Sequence, residues 1–160
     1  MNKTYQKINK AFERIKKDMD KRGYCVHAIT DVYKDNPLIS NWINVHTHGL
    51  EKYGVINVSI VAPEDDDRLA HVIYTVADMM KDGEVFDLDA IHVMYNPDET
   101  IDFIFTFLRT KCFGEDTLRI VLPDIKTKEF FNYEDYEDLF DNCENEYCLQ
   151  RTEIFNEYEE

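Results

Sequence analysis

One amphipathic segment divides this chain and limits what it can fold into. From about Pro63 to Lys81, the residues Leu69, Val72, Ile73, Val76, Ala77 and Met80 recur at helical spacing. Proline followed by Glu64, Asp65, Asp66 and Asp67 suits a helix start, and Gly83 suits its stop. Three strand-like runs precede this helix and three follow it. An apolar helical stripe of this kind is stable only when buried against another layer, and short turns between consecutive strands favour antiparallel pairing.

The first three strands are expected at about Tyr24–Val32, Leu38–Thr47 and Val55–Val61, separated by the Lys34-Asp35-Asn36-Pro37 and Lys52-Tyr53-Gly54 turns. In the third, Ile56, Val58 and Ile60 lie on one face and Asn57 and Ser59 on the other. The later three are expected at Ala90–Tyr95, Ile101–Leu108 and Thr117–Leu122, the first two joined through Asn96-Pro97-Asp98-Glu99. A further helix is expected over residues 3–22, where Tyr5, Ile8, Phe12, Ile15 and Met19 are spaced by three and four and Gly23 follows two cations. The order αβββαβββ predicts a two-layer α+β domain, with two helices on one face of a mostly antiparallel sheet. Beyond residue 125 the periodicity weakens, but Phe130, Phe131, Tyr133, Tyr136, Leu139 and Phe140 can anchor that segment to the body. One domain over 1–155 is expected, with a flexible acidic end at 156–160.

A chain of 160 residues with 44% apolar content can bury a core without disulfide or metal staples. Cys25, Cys112, Cys143 and Cys148 form no CxxC pair and are expected to be reduced thiols. Met1–Lys7 lacks the apolar core of a secretory signal, and no run approaches the ~20 apolar residues of a membrane span. A cytoplasmic, membrane-free protein is therefore expected. The net charge of −15 is uneven: residues 1–22 hold eight Lys/Arg against three Asp/Glu, whereas residues 134–160 hold eleven acids and one base. Such a surface repels phosphate backbones, which argues against direct nucleic-acid binding.

Chemistry concentrates at His46-Thr47-His48. Two histidines two apart on a strand project from the same face, a geometry suited to holding one metal ion. A third ligand is required, and spacing leaves Asp87, Asp89, His92, Cys143 and Cys148 as candidates. Cys25 with His27 is the available thiol–imidazole pair. There is no Gly-x-Ser-x-Gly elbow, no phosphate-cradling glycine loop, no Rossmann fingerprint and no paired His-x-Thr/Ser motif.

Taken in order, several segments resemble a bacterial family of unknown function. They are His46-Thr47-His48-Gly49-Leu50, the Tyr53-Gly54 turn with the strand after it, Asp82-Gly83-Glu84-Val85-Phe86, Leu118-Arg119-Ile120-Val121-Leu122-Pro123-Asp124, and the closing Cys143, Tyr147 and Gln150. The resemblance covers roughly residues 23–150 and implies no activity. It implies that His46–Leu50, Tyr147 and Gln150 recur together, through either a shared site or a shared packing contact.

The resulting expectation is a cytosolic, non-enzymatic binding module for a small molecule or a protein partner. Its cleft would be rimmed by His46, Thr47, His48, Tyr147 and Gln150, with no cofactor required. The alternative is a metal-assisted hydrolase with His46 and His48 as metal ligands and zinc as the ion. A further alternative is an acidic inhibitor or decoy, phage- or plasmid-borne, acting on a basic partner.

Overall fold

The computed structural model describes residues 13, 16, 17 and 19–159, without the side chains of Glu134 and of residues 150–159. Among the described residues, six strands form one sheet: β1 Cys25–Ile29, β2 Trp42–His48, β3 Val58–Pro63, β4 His92–Tyr95, β5 Ile101–Cys112 and β6 Glu115–Val121. Helix α1 (Leu69–Lys81) follows β3, and helix α2 (Glu137–Glu159) closes the chain. The strand order is β1-β2-β3-β6-β5-β4.

Every pair of consecutive strands joined by a turn is antiparallel, as short connections require. Where α1 intervenes the rule changes, and β3 and β6 meet in parallel through Val58↔Leu118 and Ser59↔Arg119. The sheet is thus two three-stranded antiparallel units joined along one parallel seam. Strand β3 lies inside the sheet and is buried on both faces, so the polar face expected from Asn57 and Ser59 is not solvated: Ser59 is fully buried.

On one face, the α1 stripe of Leu69, Val72, Ile73, Val76, Ala77 and Met80 packs on Val58, Ile60, Phe103, Phe105, Phe107, Leu118 and Ile120. Helix α1 begins later than the sequence suggests. Pro63 ends β3, opposite Trp42, and the acidic run after it forms a turn. There Asp66 holds Arg68 through two charge-assisted bonds of 2.9 and 2.8 Å, and Arg68 also donates to the Pro123 carbonyl at 2.9 Å. The helix expected over 3–22 lies largely outside the described residues. Residues 19–22 are helical and dock against α1, with the Arg22 guanidinium 4.2 Å from the Tyr74 ring. Gly23 ends that turn at φ 81°, and a Cβ there would lie 1.7 Å from the Tyr53 hydroxyl.

The opposite face is also covered, which the two-layer expectation did not include. Tyr33, Ile39, Val61, Val121, Tyr133 and Phe140 form a second core, with Trp42, Leu108, Phe113 and Tyr147 packed on it. The segment after residue 125 supplies this layer as α2. Its inward positions are Phe140, Cys143, Glu144 and Tyr147, spaced as one helical stripe. A glutamate in that stripe breaks the apolar pattern, so the helix is hard to read from periodicity. Among the described residues, no helix is long and apolar enough to cross a membrane.

Candidate functional site

The β1–β2 hairpin pairs His27 with His46 and Ile29 with Asn44. Residues directly opposite on antiparallel strands share a face, and alternate residues along one strand do too. Asn44, His46, His48 and His27 therefore all lie on the α2 side of the sheet. The three imidazoles meet edge to face: ring centroids are 4.7 Å apart for His46–His48, 5.5 Å for His27–His46 and 5.2 Å for His27–His48. One nitrogen from each ring lies within 4.8 Å of the others, and His46 Nε2 is 3.0 Å from His48 Nε2. Two nitrogens bound to one tetrahedral ion at about 2.0–2.1 Å lie roughly 3.3 Å apart, close to the spacing of the His46–His48 pair.

Exposure grades outward. His46 is buried, His27 half-buried and His48 exposed at the mouth of a cleft of about 610 Å³. Burial depresses the His46 pKa to about 3, with the neighbouring His48 and His27 adding to the effect. His46 is therefore neutral at physiological pH, the form that ligates metals.

Beneath His46 lies a buried polar network. His46 Nδ1 is 2.8 Å from Asn44 Oδ1, and Cys112 Sγ approaches the same oxygen at 3.5 Å. Asn44 Nδ2 donates to the Tyr33 hydroxyl and to Glu144 Oε1, both at 3.0 Å. Tyr33 in turn donates to Glu144 Oε1 at 2.9 Å, and the Phe113 N–H donates to Glu144 Oε2 at 3.3 Å. Arg119, fully buried, sits 3.9 Å from Glu144 and pairs with Glu137 at 3.1 Å. Burial raises the Glu144 pKa, while Arg119 and the Tyr33 and Phe113 donors oppose that rise. Burial next to Glu144 also pushes the Cys112 thiol up to about 12, so Cys112 is a neutral thiol and not a nucleophile.

The β5–β6 turn closes over this site. Phe113 and Gly114 have φ of 51° and 83°, the pattern of a two-residue turn in which both central residues are left-handed. A phenylalanine is costly in that conformation. Its ring lies 5.4 Å from His46 and 6.0 Å from Tyr147, and its N–H feeds Glu144.

Of the residues singled out by sequence, His46, Thr47, His48 and Tyr147 all line the cleft. The Thr47 side chain projects to the other face of β2, where its hydroxyl donates to Asn57 Oδ1 at 2.9 Å and accepts from the Val58 N–H at 3.0 Å. That hydroxyl clamps β2 to β3. The Gln150 side chain lies outside the described residues. The proposed third ligands do not gather here. His92 is on the opposite edge strand and the opposite face, stacked 5.1 Å from Phe105 and bonded at 2.7 Å to the Asp87 carbonyl. Cys143 packs in the second core, and Cys148 lines the cleft without joining the three-imidazole group. Cys25, half of the thiol–imidazole pair, is fully buried.

The third imidazole is His27, which spacing alone did not select. Folding the chain symmetrically about Asn36–Pro37 sets His27 opposite His46, so strand pairing carries the signal that a local motif lacks. No family model, no curated protein and no solved structure matches this chain.

Proposed function

We propose that the protein is a metal-dependent binding module. In this reading His27, His46 and His48 hold one first-row transition ion, with zinc the best match to three imidazoles, and the cleft admits a small ligand to the ion's open position. The observation that carries the reading is the convergence of three imidazole nitrogens within 4.8 Å in the wall of an open cleft. The neutral state of His46 and the bond held by its second nitrogen add support, because metal-ligating histidines are oriented by such outer partners.

Native mass spectrometry and elemental analysis of gently purified protein test this directly. The expected result is close to one zinc ion per chain, lost in His27→Ala, His46→Ala and His48→Ala. Absence of metal, together with no rise in Tm on adding Zn²⁺, Co²⁺, Ni²⁺ or Cu²⁺, overturns the reading.

The open position favours one second reading, metal-assisted hydrolysis. An ion with three protein ligands and a free site supplies Lewis acidity and an activated water. Turnover of ester or phosphoester probes by the zinc-loaded protein, abolished in His48→Ala, is the expected sign of it. A zinc-loaded protein inert toward every probe leaves the binding module as the function.

A further inference from the structure

We infer that Asn44, held by Glu144 and Tyr33, is the positioning residue that fixes His46 as its Nδ1–H tautomer and so aims the Nε2 lone pair at the other two imidazoles. The inference rests on the three-histidine reading for its purpose and on the hydrogen-bond geometry alone for its substance.

An amide side chain has one accepting and one donating end, and partners decide which end points where. Asn44 is fully buried, as are Tyr33 and Glu144, so no bulk water competes for these groups. Nδ2 faces two oxygens, the Tyr33 hydroxyl and Glu144 Oε1, each at 3.0 Å. The Tyr33 hydroxyl hydrogen is already committed to Glu144, so its oxygen can only accept from Asn44. The reversed amide would press Oδ1 against a carboxylate oxygen at 3.0 Å, a repulsive contact between two acceptors. Oδ1 therefore faces His46 and can only accept.

The consequence passes to the ring. With an acceptor 2.8 Å away, His46 Nδ1 carries the hydrogen, and Nε2 keeps its lone pair. Nε2 is the atom 3.0 Å from His48 Nε2, in the middle of the cluster. The carboxylate that starts this chain belongs to α2, 100 positions along the sequence from Asn44. Helix α2 thus acts on the orientation of the His46 ring through Glu144 and Asn44.

Long-range ¹H–¹⁵N NMR on ¹⁵N-histidine-labelled, metal-free protein reads the tautomer directly. The expected spectrum shows His46 protonated at Nδ1 in the wild type and in Glu144→Gln, where the Gln oxygen still accepts. In Asn44→Leu and Glu144→Leu the ring should shift toward the Nε2–H form or a mixture, and zinc affinity should fall about 10–100-fold. An Nε2–H ring at His46 in the wild type overturns the inference without any variant. So does an unchanged tautomer in folded Asn44→Leu and Glu144→Leu. If neither leucine variant folds, Tyr33→Phe provides the milder test, and an unaltered ¹⁵N pattern with unaltered zinc affinity counts against the lock. A wild-type protein that binds no metal yet shows the Nδ1–H ring removes the metal-binding reading and leaves the lock standing.

Discussion

The two faces of the sheet are built on different physical terms. The α1 face is mostly apolar: its stripe meets Val58, Ile60, Phe105 and Ile120, and the buried Thr47 hydroxyl there is paired with Asn57 and the Val58 N–H. The α2 face buries Asn44, Glu144 and Arg119 completely, beside Tyr33 and Phe140. Burying such groups is unfavourable unless every donor and acceptor is matched. The contrast shows where this chain trades packing for orientation, namely under the histidine cluster.

The comparison breaks most visibly if the α2 face is left with an unpaired charge. Arg119→Met removes the cation between Glu137 and Glu144, and a loss of about 3–5 kcal/mol is expected from urea unfolding. Adding Glu144→Leu to that variant should restore part of the loss, whereas two independent sites would add. A cavity on the α1 face is the matching test. Ile73→Ala, fully buried, should cost roughly 2–5 kcal/mol and leave the His46 tautomer untouched.

A pH series separates the faces further. His46 has a folded pKa near 3 against 6.5 for a free histidine, so the unfolded chain takes up a proton that the native state refuses. Its contribution is complete above about pH 6.5 and drains away as pH falls toward 3, at up to about 1.4 kcal/mol per pH unit. Urea midpoints of metal-free wild type and His46→Leu across this window should diverge in slope. Parallel curves would contradict the burial argument. The smallest expected effect is at the turn. Phe113→Gly relieves a left-handed phenylalanine but removes a ring that packs toward His46 and Tyr147, so stability should change by no more than about 1–2 kcal/mol. Zinc affinity should fall more than stability does, since the ring walls the site.

What the sequence made legible follows the same division. Alternation and turn residues located all six strands, and the α1 stripe is the one observed, because apolar burial writes a periodic pattern. Helix α2 was illegible because Glu144 occupies a core position for the sake of polar partners that lie far away in sequence. The start of α1 was displaced because Pro63 and the acids after it suit a turn capped by Arg68 as well as they suit a first helical turn. His46 and His48 were visible as a pair. His27 required the hairpin register, and Asn44 required knowing what its amide faces, neither of which any local spacing encodes.

The parallel seam bears on the order of assembly. All three imidazoles come from one hairpin, a contact that a chain can make early and cheaply. The seam between β3 and β6 joins residues about 60 positions apart, as in the Thr117–Asn57 bond, and such non-local closures slow folding. Phe113 and Glu144 arrive only with the second half of the chain. The imidazoles are thus a local product of the hairpin, while their aim is a property of the finished molecule. A truncation after β3 would keep the three imidazoles with Asn44 and Tyr33 and lose Glu144 and Phe113, the groups that fix Asn44 and cover His46.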